Sequence, residues 1–475
     1  MTLVGPHIEQ FIPSSLDSVS IRLPICNHAT FIPSFSSSNC QLKHLVIPDL
    51  WLSFQSLIHL SCSCPELEEL AVYGFVDYKN SLDLLDDVKL PRLRTLYLSD
   101  GSSDIPDDLL LRLVMSGLLE RLRLTLLPLK TNALIKVISL NPNLKHVNFA
   151  IRQGSFSAWD FFGLCLGQLR CLQSVELDLN VAVDWKYTFR DEGQPENLLP
   201  PNLRSLDLRS CIRGHVDDSV TANSCSSFSS LLRNITNLSL TNVVLDDCEI
   251  FCPVLVELKL MLVRFSSDQA GFRVGSDFRS LQIRDPETDP MKVIKHDVDA
   301  PLSFSSLSLR IRNSNDVEYG GWDVLPMDVY LNYLRKASHL KSIHVDYLFY
   351  HYYGDDLPEL AYRLGKALGS LPALESIHVE TQFPLFGDVV KGLVEERQRL
   401  SEEGAALQQL KYSFYCCESL VTMESDYPEM KAQEKPERLL CLHPVFRHTF
   451  LDCPFRRLLM KDNCIAVTPR KEIKL

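Results

Sequence analysis

Nowhere do the 475 residues run apolar for the roughly 20 positions that a membrane-spanning helix needs. The opening stretch, MTLVGPHIEQFIPSS, has neither the basic leader nor the continuous apolar run of a secretory signal. A basic excess is missing too, because 48 Lys and Arg against 60 Asp and Glu leave a formal net charge of −12. That balance argues against generic binding to nucleic acid or to an anionic membrane, each of which favours a basic face. The 15 cysteines are odd in number and lack framework spacing, so a disulfide scaffold is not expected. These absences predict a chain with free thiols in a reducing compartment, cytoplasmic or nuclear, with no nucleic acid and no membrane among its partners.

Recognisable chemistry is equally scarce. The sequence contains no GxGxxG, no GxxxxGK[ST] and no GxSxG, the patterns that build phosphate loops and nucleophile elbows. His378-Val379-Glu380 matches a fragment of a zinc deaminase site, but no Pro-Cys-x-x-Cys follows to complete it. Cys441, His443, His448 and Cys453 carry metal-ligand chemistry at a spacing that fits no zinc module. The expectation is a protein that is not an enzyme and holds no metal or cofactor.

What the chain does contain is a beat. In LPPNLRSLDLRSC (199–211), Leu206 and Leu208 alternate with Ser205, Asp207 and Arg209, a period near two that reads as a strand with one apolar face. The triplet Leu203/Leu206/Leu208 has counterparts along the chain. They start at Leu16, Leu42, Leu67, Leu93, Leu119, Leu144 and Leu172 before it, and at Ile235, Leu255, Phe278, Phe304, Leu340, Leu374 and Leu407 after it. The first five steps are 26, 25, 26, 26 and 25 residues. Later steps range from 20 to 36, and the last triplet is read as Leu407/Leu410/Tyr412. Between triplets, segments such as LIHLSCSCPELEEL (57–70), ALIKVISLNPNLKHV (133–147), YLRKASHLKSI (333–343) and LGKALGSLPALESI (364–377) place apolar residues at helical spacing. Pro65, Pro142 and Pro372 mark where those helices must stop. Each unit therefore reads as strand, turn, helix, turn, and stacked units bury one continuous core.

The triplets, with Cys64-Pro65-Glu66-Leu67 and Cys252-Pro253-Val254-Leu255 ahead of two strands, resemble the leucine-rich repeat family, in particular its cysteine-containing class. The resemblance spans about residues 16 to 412. It implies an α/β leucine-rich repeat solenoid, a horseshoe with parallel strands on the concave face and helices on the convex face. That class is common in F-box/leucine-rich repeat proteins, the substrate receptors of Skp–cullin ubiquitin ligases. The resemblance thus implies a protein-binding role, with a Skp-type adaptor as partner wherever an F-box precedes the repeats. No F-box is recognisable here; LPMDVYLNYL (325–334) superficially resembles its opening but reads as a repeat helix. The alternative is a stand-alone interaction scaffold without a ligase link. The family also favours Asn or Cys three residues after the third leucine, a place that Asn180 and Cys211 fill. Residues 1–415 are expected to form about 15 repeats, 416–438 a charged loop or insertion, and 439–475 a C-terminal cap with a candidate further repeat.

Alternation also assigns the outward side chains. Arg121 and Arg123 share one strand, with Thr95 and Tyr97 on one neighbour and His146 and Asn148 on the other. Two guanidiniums beside an aromatic ring suit an acidic or phosphorylated peptide, and Glu176 and Asp207 further along supply the opposite charge. A second candidate contact is DYLFYHYYGDD (346–356), where Tyr347, Phe349, Tyr350, Tyr352 and Tyr353 follow a strand and could anchor a partner.

Overall fold

A computed structural model describes residues 7–21, 29–35, 40–77, 82–99, 107–125, 131–151, 166–179, 200–210, 220–222, 232–241, 243–245, 249–261, 263–265, 270–284, 293–295, 304–312, 327–348, 357–381, 386–405, 410–416 and 465–467. The chain divides into two compact units, Met1–Asp246 and Asp247–Leu475.

In the first unit the strands are β1 (His7–Ile12), β2 (Ser18–Ser20), β3 (Thr30–Phe35), β4 (His44–Ser53), β5 (Glu69–Val76), β6 (Thr95–Leu98), β7 (Arg121–Leu124), β8 (His146–Ile151), β9 (Ser174–Leu179), β10 (Ser205–Ser210), β11 (Val220–Ala222), β12 (Asn237–Thr241) and β13 (Val243–Leu245). Period-two alternation turns each triplet into a rung of a parallel ladder. The second triplet residues align without a slip, Leu45↔Leu70↔Leu96↔Leu122↔Val147↔Val175↔Leu206↔Leu238. All eight are buried, as are the first-position residues from Leu42 to Ile235. Burial of one such leucine is worth about 1.5–3 kcal/mol, and none of these strands could bury its apolar edge alone.

Backbone hydrogen bonds lock the rungs in phase. The Glu68 carbonyl accepts from both Arg94 and Thr95, Arg94 accepts from Glu120 and Arg121, and Glu120 accepts from Lys145 and His146. Each step repeats the one before it, so an amide that would be orphaned where the strand begins finds a partner on the neighbouring repeat. A turn precedes most strands: Leu67 N–H donates to the Cys64 carbonyl, Leu93 to Leu90 and Leu144 to Asn141. The residue three before the first leucine lies inside this turn, where Cys64 is fully buried. That is the physical meaning of the Cys-Pro-x-Leu element: a small apolar side chain fits the slot between consecutive turns.

Helices α1 (Phe54–Ser63), α2 (Asp107–Val114) and α3 (Thr131–Leu140) return the chain between strands. Ser53 caps α1 by accepting from the Ser56 amide at 3.0 Å, and each helix ends before Pro65 or Pro142 where one is present. Leu57, Leu60, Leu109, Leu110, Leu113 and Leu134 turn inward and complete the core.

The second unit holds β14 (Glu249–Cys252), β15 (Glu257–Met261), β16 (Arg264–Phe265), β17 (Gly271–Val274), β18 (Ser280–Ile283), β19 (Ser306–Arg312), β20 (Ser342–Leu348), β21 (Ser376–Thr381), β22 (Lys411–Cys416) and β23 (Ile465–Val467). Its helices are α4 (Met327–Lys336), α5 (Leu357–Gly369) and α6 (Phe386–Glu402). Here the ladder runs Leu258↔Leu281↔Leu307↔Ile343↔Ile377↔Tyr412. β23 then pairs antiparallel with β22. LPMDVYLNYL lies largely in α4, a repeat helix.

Two details depart from the sequence reading. The pattern strand, turn, helix, turn does not hold in every unit: β11 pairs with β13, and β14 with β17, as short parallel strands in the return segments. The steps of 20 and 23 residues after Ile235 and Leu255 leave no room for a helix and two turns, whereas an extended return covers the distance in fewer residues. The last triplet is also displaced by two residues. Ile377 faces Tyr412 and His378 faces Ser413, so the rung is set by Tyr412 and Phe414 rather than Leu410 and Tyr412. A shift of two residues preserves the strand's alternation, and Leu410 is buried.

Candidate functional site

Strands β4 to β9 place their outward side chains in two parallel rows. One row reads His44, Glu69, Thr95, Arg121, His146, Ser174; the other reads Val46, Ala71, Tyr97, Arg123, Asn148, Glu176. Neighbouring strands are about 4.8 Å apart, so each row is a line of side chains within reach of one another. Between them lies an open depression of about 520 Å³. Tyr97, Arg121, Arg123, His146, Asn148 and Glu176 all line it.

Asp207 does not. It sits on β10, where Arg209 Nη2 approaches its carboxylate at 2.6 Å and Glu176 at 2.9 Å. The opposite charge expected beyond the arginines is thus largely met within the protein, two carboxylates sharing one guanidinium.

Arg121 and Arg123 are exposed, and among the described residues neither has an ion-pair or hydrogen-bond partner. Arg123 is nonetheless held, because its guanidinium carbon stands 4.7 Å from the centre of the Tyr97 ring. Such a contact contributes about 0.5–1 kcal/mol at an exposed site and leaves the in-plane N–H donors available. The carboxylate nearest in sequence, Glu120, is already engaged at the strand entrance. The Lys145 ammonium at 2.6 Å, with Arg94 at 3.1 Å, holds the Glu120 carboxyl below its ordinary value. The positive charge of the pair is therefore not cancelled by its neighbour.

His146 stands beside Arg121 in the ladder. Burial, then the Arg121 and Lys145 charges, push its imidazole below the usual histidine range, with Glu120 opposing. Asn148 is only 9% exposed, yet it lines the depression and its amide meets no hydrogen-bond partner among the described residues. Its amide atoms are not sealed from solvent, so water or a ligand in the depression can meet them.

The sequence reading left Asp49 and Pro48 out of the site. Both lie past the third apolar position of their triplet, where the β4–β5 register shifts between Ile47 and Trp51, and both reach the rim. Glu69 was not credited as a neighbour either; its carboxylate meets His44 Nδ1 at 3.2 Å.

The aromatic candidate fares differently. Tyr347 is part of β20, paired with Ile311 and Thr381, rather than part of a loop after the strand. Phe349, Tyr350, Tyr352 and Tyr353 lie outside the described residues, as do Asn180, Cys211, Cys441, His443, His448, Cys453 and residues 417–464. Among the described residues no group of three or more His, Cys, Asp or Glu is placed to hold a metal ion, and no helix is long and apolar enough to cross a membrane.

No family model matches the sequence, and no curated protein matches it. Among solved structures, the leucine-rich repeat-containing protein LegL7 from Legionella pneumophila is similar, with a TM-score of 0.33 and 13% identity over 64% of this chain and 91% of that one. The solenoid fold stands on the strand registers given above. Within each of the two units these registers make an α/β stack of repeats with parallel strands.

Proposed function

We propose that this protein is a non-enzymatic recognition scaffold that holds a protein partner on the outward face of β5–β9. The observation that carries the reading is the pair Arg121 and Arg123, exposed on one strand face without an acidic partner among the described residues. Charges left open on a rigid ladder favour recognition, because the backbone that presents them is fixed before binding and little order is lost. The double substitution Arg121→Glu with Arg123→Glu tests it. Partner capture from cell extract, read by quantitative mass spectrometry, is expected to fall to background while the circular dichroism spectrum stays that of the parent. Undiminished capture overturns the reading.

The narrower proposal is a substrate receptor of a Skp–cullin ubiquitin ligase. It is supported by the triplets and by Cys64 and Cys252 in the slots that the cysteine-containing repeat class fills. Co-purification of a Skp-type adaptor with the intact gene product is the expected result. Its absence favours a stand-alone scaffold.

A further inference from the structure

The charges around the depression are ordered, and the order narrows what fits. Across the ladder they run negative, positive, negative: Glu69 on β5, Arg121 and Arg123 on β7, Glu176 on β9. Each carboxylate is two strands, about 10 Å, from the arginines. That separation is about one Debye length at moderate salt, so a ligand crossing the strands feels both rims. Glu176 shares the Arg209 guanidinium and Glu69 meets His44 Nδ1, so the rims repel a run of acidic residues less than open carboxylates would, yet neither rim attracts one as the central arginines do.

At the centre, two open guanidiniums offer a charge of about +2 and forked N–H donors. A carboxylate supplies one negative charge and two oxygens. A phosphomonoester supplies close to two charges and three acceptor oxygens. Arg121 and Arg123 are separated by about 6.6 Å along the strand, a spacing that lets two long side chains reach one group. Asn148, buried against the same hollow without a described partner, adds N–H donors that a third oxygen satisfies. His146, its imidazole pushed below the usual histidine range by burial and then by the Arg121 and Lys145 charges, disfavours a third positive charge and presents a ring N–H to the same hollow. Tyr97 fixes Arg123 from behind, which reduces the order that binding must impose.

Resting on the scaffold reading above, we propose that the hollow between β6 and β8 receives one phosphorylated side chain of the protein partner, flanked by neutral or basic residues rather than by further acids.

The experiment uses the full chain and fluorescence anisotropy with four labelled peptide libraries: a central phosphoserine with neutral and Lys flanks, the same with Asp and Glu flanks, a central Glu, and a central Ser. The first library is expected to bind, and the other three to bind about ten-fold more weakly or not at all. Arg121→Gln and Arg123→Gln should each weaken the first library by about ten-fold, and Asn148→Ala by several-fold. Circular dichroism confirms that each variant folds. Equal binding of the central-Glu library, or of the acid-flanked one, overturns the inference. Inorganic phosphate and phenyl phosphate serve as competitors; if either binds as tightly as the phosphopeptide, the anion site holds a free phosphate ester and the peptide assignment falls. If no library binds while the double Glu variant still abolishes capture from extract, the phosphate inference fails and the scaffold reading stands. If capture survives that variant, the scaffold reading itself has failed.

Discussion

Asn141 offers the sharpest test of how neighbouring repeats are joined. It is fully buried at the end of α3, in the slot that Cys64 fills in an earlier unit. In most units the amide of the first leucine bonds the carbonyl three residues back. Leu119 cannot, because Gly117, at φ +67°, turns the chain out of α2 by another route. The Asn141 side chain supplies the missing partner. Its Oδ1 accepts from Leu119 N–H at 3.3 Å, and its Nδ2 donates to the Val137 carbonyl at 2.9 Å and the Val114 carbonyl at 3.1 Å. One amide thus ties its own helix to the repeat before it. Each bond is worth about 1 kcal/mol net, and the three partners are left dry when it goes, so Asn141→Ala should cost about 3 kcal/mol. A chain of this size does not unfold in one step, so the local opening is what should be measured. Hydrogen–deuterium exchange in peptides covering 107–125 and 131–149 should accelerate about 100-fold, since every 1.4 kcal/mol is a factor of ten. Asn141→Asp is nearly isosteric and should be worse than Ala: its charged form repels two carbonyls, and its protonated form has one donor for both. Protection within two-fold of the parent in the Ala variant, or an Asp variant better tolerated than Ala, would refute this account.

Three other outcomes follow from the packing. Leu206→Ala should cost about 2–5 kcal/mol, whereas Asp207→Ala, on the outward face beside Arg209, should stay within about 1 kcal/mol; similar losses in denaturant titrations would mean the inward and outward faces are wrongly assigned. Burial, and for Cys64 the adjacent Cys40, push the Cys64 and Cys252 thiols up to about 12. A raised pKa means less thiolate, about 10⁻⁴ of the thiol at pH 8, so iodoacetamide should mark exposed Cys62 and Cys171 in the native protein and reach Cys64 and Cys252 only on unfolding. Peptide mapping decides it, and rapid native labelling of Cys64 would count against the buried slot. In the second unit, a Cβ on Gly392 would stand 2.1 Å from the Tyr362 carbonyl oxygen, and one on Gly365 2.0 Å from that of Val389. Helices α5 and α6 therefore meet backbone to backbone. Gly392→Ala should lower the melting temperature although alanine is the better helix former by about 1 kcal/mol; an unchanged or higher value would refute the close approach.

The sequence by itself determined the period, the rungs and the two faces. Alternation over five residues decides which side chains enter the core, and a strand pairs only where that choice is repeated next to it. Alternation alone thus places Leu96, Leu122 and Val147 on the inward side of one ladder and Arg121 and Arg123 on its outward side. The last rung shows the limit: Leu410, Tyr412 and Phe414 share a face, so period alone could not separate two registers that only pairing with Ile377 and Val379 distinguishes. An extended return follows from step length in the 20- and 23-residue steps, whereas β11, in the 32-residue step after Leu203, is explained by no such limit.

Tertiary structure alone decided how the charges are spent. Glu120 could have neutralised Arg121, yet it turns to Lys145 and Arg94, while Arg209 bridges Asp207 and Glu176 and so meets the negative charge at one edge of the site. Ion pairing depends on distances of a few ångströms between side chains that sequence separates by 25 to 33 residues. Backbone periodicity fixes which face a residue occupies, but only the packed neighbours fix which charge is left facing the solvent.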